Sequence, residues 1–213
     1  MAVDELNEVG SYKPRAIPYR EYFSSMGITK AQVDERIDFA TSFENFLLLV
    51  MALIKTQQAF DKFDYDFVWA ELVTGYQNVI EKFKPVDEVI DEYTKTYADD
   101  FIRSTRENID DPWFTSDDRV MFNAENEAVS IIGYKDFEMA KKRGFKRKKW
   151  VTFMDKRTRK DHASLNGKTI PIDDYFRIGD AMAMFPKDLF TDESTLIDYP
   201  EQYVNCRCTV KFL

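Results

Sequence analysis

The stretch from Trp150 to Cys208 constrains the fold more than any other, because its pattern changes several times over a short distance. Residues 150–155 alternate enough to predict a short strand, with Val151 and Phe153 on one face. A helical pattern, a tight turn and two further strand patterns follow. This order predicts a small sheet with a helix beside it in the last third of the chain.

The helix in this stretch is short, over about residues 159–165. Thr158 has the chemistry of an N-cap, and Asp161 follows three positions later, where an acid favours the positive end of the helix. By the i, i+3, i+4 rule, one face of the helix carries Arg159, His162 and Ala163.

Asn166 and Gly167 tolerate positive φ and predict the end of that helix. Residues 168–172 then predict a second strand. Pro171 and the two aspartates that follow, at 173–174, limit its length.

The segment from Tyr203 onward alternates most clearly. Val204, Cys206, Cys208, Val210 and Phe212 face one way, and Tyr203, Asn205, Arg207, Thr209 and Lys211 face the other. Cysteines one residue apart in a strand lie about 7 Å apart and do not pair easily, so we interpret both as small core residues. We expect this strand to pair with the one led by Trp150, which places His162 beside Asn205 and Arg207.

The joint spacing Trp-x4-Asp-x-Arg-x-Arg-x2-His-x3-Asn-Gly, followed by a final Asn-Cys-Arg-Cys, resembles the phage Mu F-like minor head proteins, also called phage head morphogenesis proteins. The resemblance covers about residues 115–213. Its motif residues are Trp150, Asp155, Arg157, Arg159, His162, Asn166, Gly167, Asn205, Cys206, Arg207 and Cys208. Many relatives have Asp where this chain has Asn166, and an Arg-Thr-Glu-like signature where it has Asn123 to Glu127.

The resemblance implies a minor head protein of a tailed phage or prophage that acts in procapsid assembly. Such a protein sits inside the head near the portal, and some members are thought to leave with the DNA. Its expected partners are the portal, other head proteins and packaged DNA. Its expected locations are the virion and, during assembly, the host cytoplasm.

The fold class that we expect is α+β, with a helical N-terminal region followed by a compact mixed α/β domain. Residues 1–27 predict an extended arm, because Tyr12 to Tyr19 hold two prolines and no periodicity. Residues 28–110 predict the helical region, and residues 111–213 the Mu F-like domain.

The predicted helices of the first two regions follow from caps and apolar periodicity. A capping box at Thr29 and Gln32 opens a helix to about residue 54 or 60, and residues 67–83 form a second. A third begins with Pro85 in its first turn and carries an apolar stripe from Val86 to Ile102. A fourth is capped by Ser116, and Gly133 interrupts it before a shorter segment at 135–143.

Charge divides the chain unevenly. Residues 1–133 hold 13 Lys and Arg against 26 Asp and Glu, a net of −13, whereas residues 134–213 hold 17 against 12, a net of +5. Such a split predicts different neighbours for the two regions. The longest apolar run, Phe46 to Ile54, is shorter than the about 20 residues of a membrane span, so we predict none. No signal peptide is expected, and the two unpaired cysteines favour a reducing compartment.

Seven basic residues concentrate the positive charge: Lys141, Lys142, Arg143, Lys146, Arg147, Lys148 and Lys149. A cluster of this density could contact nucleic-acid phosphates. A solvated basic loop, or one that docks on an acidic protein, is the alternative that the sequence favours.

Three hypotheses for His162 remain open. As a metal ligand it would join Cys206 and Cys208, but three ligands fall short of the usual four and alternating cysteines look badly placed, so we predict no metal and no cofactor. As a base with Arg159, Arg207 and Asn205 it could cleave RNA in a toxin-like domain. As a structural group it would join a network with Asp155 and the arginines.

Overall fold

The structure is a computed structural model that describes residues 18–154, 156, 158–189, 202 and 206–213. It divides into two compact units. Of the described residues, those in 18–37 and 128–213 form unit 1, and 38–127 form unit 2. The α+β class is confirmed. The domain boundaries near residues 27 and 110 remain a prediction.

Helices dominate the first two thirds, and short strands follow. The helices are α1 (Tyr19–Ser24), α2 (Lys30–Ala59), α3 (Tyr65–Glu81), α4 (Glu88–Glu107), a 3₁₀ helix (Pro112–Thr115), α5 (Asp117–Lys142) and α6 (Lys160–Leu165). The strands are β1 (Arg147–Val151), β2 (Thr169–Pro171), β3 (Phe176–Ile178), β4 (Ala181–Ala183) and β5 (Thr209–Phe212).

The capping box of α2 is confirmed. The backbone N–H of Thr29 donates to Gln32 Oε1 at 3.1 Å, and that of Gln32 donates to Thr29 Oγ1 at 3.3 Å. The predicted arm is wrong over its described part, because α1 forms there and buries Tyr22 and Phe23. Burying these two adjacent aromatic side chains stabilises the fold more than leaving them exposed on an extended arm would. Residues 1–17 of the arm lie outside the described residues.

The core of unit 2 is aromatic. The rings of Phe43 and Tyr76 have centroids 4.2 Å apart, and Tyr97 contacts both. The apolar stripe of α4 is confirmed, because Ile90, Phe101 and Ile102 are buried. Pro85 is not in its first turn, because the side chain of Asp87 caps the helix by accepting from the N–H of Ile90.

Helix α2 is long and apolar enough to cross a membrane by length and composition alone, and 39% of its most apolar window is buried. The buried helix of a soluble protein passes the same test, and Phe43 and Leu47 of α2 are fully buried. One side of its apolar second half is nevertheless open, because Leu49 is 71% exposed. The absence of a membrane span remains a prediction.

Helix α5 runs without a break through Gly133, so the predicted interruption is wrong. A glycine inside a helix costs only about 1 kcal/mol relative to alanine, which flanking contacts can offset. Here Phe185 packs close enough that a Cβ at residue 133 would lie 3.5 Å from its ring. The Ser116 cap is confirmed by the N–H of Arg119, which donates to its hydroxyl at 3.2 Å.

The expected pairing between the Trp150 strand and the final strand is confirmed. The three-stranded sheet has the order β2-β1-β5, with both pairs antiparallel. Trp150 lies opposite Val210 across β1 and β5. β1 therefore has neighbours on both sides, as the small sheet requires.

The predicted position of the first strand is wrong by about three residues. It ends at Val151, and its buried positions are Lys148 and Trp150, whereas Phe153 is exposed beyond its end. Because side chains alternate in a strand, Trp150 shares the buried face of β1 with Lys148, and Val151 points the other way. A second sheet, the antiparallel hairpin β3-β4, was not predicted.

Candidate functional site

The candidate site lies in unit 1, where α6 meets the segment before β5. α6 supplies His162, and the segment supplies Cys206 and Cys208. Thr158 is not the N-cap of α6: Arg159 holds that position without a side-chain cap, and the Thr158 hydroxyl donates to the carbonyl oxygen of Phe153 at 2.5 Å.

One ring nitrogen of His162 faces both cysteines. Nδ1 lies 3.3 Å from the Sγ of Cys208 and 3.5 Å from the Sγ of Cys206. The three residues are 2%, 4% and 3% exposed, and both cysteines are free thiols. One ligand atom from each lies within 4.8 Å of the others. We expected alternating cysteines to be badly placed to share an ion with His162. These distances show that this expectation is wrong.

The second ring nitrogen of His162 is held by an amide. Nε2 lies 3.0 Å from Gln202 Oε1, and the Nε2 amide of Gln202 donates to Asp161 Oδ2 at 3.3 Å. A carboxylate only accepts, so Gln202 turns its NH₂ to Asp161 and its oxygen to the imidazole. His162 then carries its hydrogen on Nε2 and presents a lone pair on Nδ1 to the two sulfurs.

Backbone and side-chain contacts fix α6 against the sheet. The Thr152 hydroxyl donates to the carbonyl of His162 at 2.8 Å, and the N–H of Thr152 donates to Asn166 Oδ1 at 3.0 Å. The N–H of Gly167, whose φ is +83°, donates to the carbonyl of Trp150 at 2.9 Å. The prediction that Gly167 ends the helix is confirmed, and Asn166 contributes through its side chain.

Apolar groups enclose the site. Trp150 is fully buried, meets His162 edge to face with ring centroids 6.0 Å apart, and contacts Phe176 at 5.0 Å. The two cysteines belong to the same hydrophobic cluster, which confirms that they lie in the core. From the N-terminal part of unit 1, the Tyr22 hydroxyl donates to the carbonyl of Cys206 at 3.3 Å.

The two thiols differ in acidity. The hydrogen bond from Cys208 holds the pKa of Cys206 well below its usual value, against the effect of burial. The same hydrogen bond, together with burial, raises the pKa of Cys208. One thiolate is therefore stabilised within the pair, and the second proton is hard to remove.

The remaining motif residues are less fully described. The guanidinium carbon of Arg207 lies 4.9 Å from the centroid of the Phe153 ring. Arg159 is partly buried at the start of α6. Asp155, Arg157 and Asn205 lie outside the described residues, so the expected polar network stays a prediction. Sequence reasoning did not find Gln202, because no periodic pattern marks it.

The basic cluster does not form one solvated face. Lys141 and Lys142 end α5, and Arg143, Lys146 and Arg147 are exposed. Lys149 is partly buried, and Lys141 pairs with Asp173 at 2.9 Å.

Lys148 is the exception, because it is fully buried. Its Nζ lies 2.7 Å from Met184 Sδ and 5.2 Å and 5.6 Å from the ring centroids of Phe137 and Phe176. The alternation of β1 turns this lysine into the core, so the interpretation of the whole cluster as a solvated loop is wrong here.

Lys148 should make the stability of unit 1 depend on pH. Burial lowers its pKa from 10.5 to about 8, although Asp188 opposes the shift. Between those pH values the unfolded chain binds more protons, so the free energy of unfolding should rise by up to about 3 kcal/mol as the pH increases through this window. The destabilisation by the buried positive charge is complete below pH 8 and absent above pH 10.5.

Urea unfolding of the wild type and of Lys148→Met at several pH values measures this effect. The rise should disappear in Lys148→Met. The control Lys149→Met, at the next strand position, should keep the wild-type rise. A wild-type stability that stays level from pH 8 to pH 10 relative to Lys148→Met would contradict the prediction.

Comparison with known proteins gives two matches. A family model described as phage Mu protein F like protein matches residues 87–211. A protein named NAD(+)--arginine ADP-ribosyltransferase EFV, from Enterococcus faecalis (strain ATCC 700802 / V583), is 35% identical over 92 residues. That match covers 43% of this chain and 17% of the relative, so the chain spans about a sixth of that protein. No solved structure gives a significant match.

Proposed function

Because the chain belongs to the phage Mu protein F like family, which indicates a role in phage head morphogenesis, we propose that it is a minor head protein of a tailed phage or prophage. It acts during procapsid assembly and sits near the portal, inside the head. The observation that carries this proposal is the family match over residues 87–211. The proposed partners are the portal and other head proteins.

The uneven charge of the chain supports two kinds of contact. The acidic part, residues 1–133 with a net charge of −13, suits basic protein surfaces. The exposed basic residues Lys142, Arg143, Lys146 and Arg147 suit packaged DNA. In this proposal the acidic part docks on the head and the basic part faces the genome.

Composition of the particle tests the location. In a phage or prophage that encodes the chain, mass spectrometry should find it in purified procapsids and virions, and portal protein should retain it in a pull-down. Particles made without portal should contain much less of it, because the proposed docking surface on the portal is then missing. Its absence from particles, or incorporation that does not depend on portal, would contradict the proposal.

Salt dependence tests the DNA contact. Replacing Lys142, Arg143 and Lys146 with glutamine should weaken DNA binding about equally for all sequences. It should also reduce the salt slope by about 3, because each side chain that neutralises a phosphate adds about one to that slope. Lys82→Gln, Lys55→Gln and Lys62→Gln together form a control outside the cluster with the same charge change. An unchanged slope would exclude DNA as a partner of this cluster.

The alternative, an RNA-cleaving domain that uses His162 with Arg159 and Arg207, is less well supported. A general base must reach the proton that it abstracts. His162 is 2% exposed, and its two nitrogens face Cys208, Cys206 and Gln202. We also do not extend the transferase activity named for the Enterococcus relative to this chain, which spans only 17% of that protein.

A further inference from the structure

We propose that His162, Cys206 and Cys208 bind a soft divalent metal ion of the zinc class. This inference concerns the internal chemistry of unit 1 and does not depend on the role in head assembly. It rests on three observations: the spacing of the donor atoms, the hydrogen bonds that orient the imidazole, and the buried indole N–H beside the sulfurs.

The spacing of the donors fits a tetrahedral ion. Zinc lies about 2.3 Å from a thiolate and about 2.0–2.1 Å from an imidazole nitrogen, so tetrahedral angles separate nitrogen from sulfur by about 3.5 Å. Nδ1 of His162 lies 3.3 Å and 3.5 Å from the two sulfurs. The two sulfurs lie within 4.8 Å of each other, and a tetrahedral ion needs about 3.8 Å between them, so an adjustment of about 1 Å or less places an ion between the three atoms.

The imidazole is oriented as metal-binding histidines are. Such a histidine donates its other ring N–H to an acceptor, which fixes the tautomer and makes the ligating nitrogen more basic. Here Gln202 accepts from Nε2, and Asp161 holds Gln202 in turn. The chain Asp161–Gln202–His162 thus points the free lone pair of Nδ1 at the two sulfurs.

A buried donor also lies beside the sulfurs. The indole N–H of Trp150 is buried without an acceptor at hydrogen-bond distance among the described residues, and Cys208 is the group that it acts on. The Thr152 hydroxyl is not a second donor, because it already donates to the carbonyl of His162 and accepts from the Cys208 thiol at 3.7 Å. Buried donors usually have acceptors, and a metal-bound thiolate is a stronger acceptor than a neutral thiol. The indole N–H therefore suits the site when it is loaded.

The ligand set decides the class of ion. Two thiolates and one imidazole select zinc-like ions over magnesium or calcium, which prefer oxygen. Three protein ligands leave one position of the tetrahedron for water or another small ligand, the arrangement that Cys₂His sites use.

Cobalt titration of the reduced, chelator-treated full chain is the test. Co²⁺ should bind with one equivalent and give thiolate charge-transfer and tetrahedral d–d bands, and Zn²⁺ should displace it. His162→Ala, Cys206→Ser and Cys208→Ser should lose these bands. Gln202→Ala, which touches no metal, should keep them with affinity about 10–100-fold weaker. The control Ser164→Ala changes an exposed hydroxyl on the same helix and should behave as wild type.

A second measurement uses only the wild type, so it does not depend on the folding of the variants. Zinc should slow alkylation of both cysteines, and a chelator should restore it. Wild-type protein with two reduced thiols that gives no cobalt spectrum and no zinc protection overturns the proposal. Binding that persists in the Cys206→Ser, Cys208→Ser double variant overturns it as well, because the ion then lies elsewhere.

Discussion

Trp150→Ala should lower the free energy of unfolding by about 3–5 kcal/mol, the cost of truncating a fully buried aromatic side chain. The loss is at the high end because Trp150 lies on β1, the central strand, and contacts both Phe176 and His162. Its cavity would open between the hairpin and α6. Urea unfolding followed by circular dichroism measures the loss.

The control for this variant is Met154→Ala, a few residues further along the chain. Met154 is 60% exposed, so its truncation should change the stability by less than about 0.5 kcal/mol. Equal, small effects of the two substitutions would show that Trp150 does not lie at the centre of a packed core.

Arg119→Ala should cost unit 2 about 3 kcal/mol, because it removes a buried cation that several groups require. Arg119 is 6% exposed, and its Nη1 donates at 2.7 Å both to Thr105 Oγ1 and to the carbonyl of Phe114. Its guanidinium carbon also lies 4.6 Å from the Phe101 ring centroid and 4.9 Å from that of Phe114. Burial lowers its pKa to about 10, so the guanidinium keeps its charge at neutral pH.

Arg119→Lys distinguishes the geometry of the donors from their charge. Lysine retains the charge but lacks the planar fork that reaches two acceptors at once, so we expect it to recover less than half of the loss. The control Arg103→Ala removes an arginine whose side chain is 64% exposed, and it should change stability by less than about 0.5 kcal/mol. A loss in Arg119→Ala no larger than in Arg103→Ala would contradict the prediction.

Local signals predicted much of the fold. Thr29 and Gln32 formed the expected capping box, and the apolar stripe of α4 became a buried face. Gly167 ended α6 as positive φ requires. These features depend on residues a few positions apart, which is the range over which the sequence itself carries the physical information.

The register of β1 could not be predicted in the same way. Lys148 stands among other basic residues, so hydropathy assigns it to solvent, whereas strand alternation buries it with Trp150. The hairpin β3-β4 was missed because its strands are only three residues long. The dipeptide Gly179-Asp180 is the sequence signal that could have indicated it, because such pairs form tight hairpin turns. In the structure the glycine of this turn has a φ of +61°.

The candidate site could also be predicted only in part. Alternation correctly placed Cys206 and Cys208 in the core together. Their meeting with His162 depends on the pairing of β1 with β5, and the role of Gln202 depends on a contact 40 residues away in sequence. Contacts of that separation are set by the tertiary fold, and local sequence patterns do not reveal their distances.

The division of the chain has a consequence for the order of folding. Among the described residues, unit 2 is one continuous segment, residues 38–127, so this segment can collapse around its own aromatic rings as soon as it exists. Unit 1 must bring together pieces on either side of it, as in the hydrogen bond between Tyr22 and Cys206, 184 positions apart. Closing so large a loop is entropically costly when the chain is open and much cheaper once the intervening segment is compact. We therefore expect unit 2 to fold first and the sheet of unit 1 to form after it.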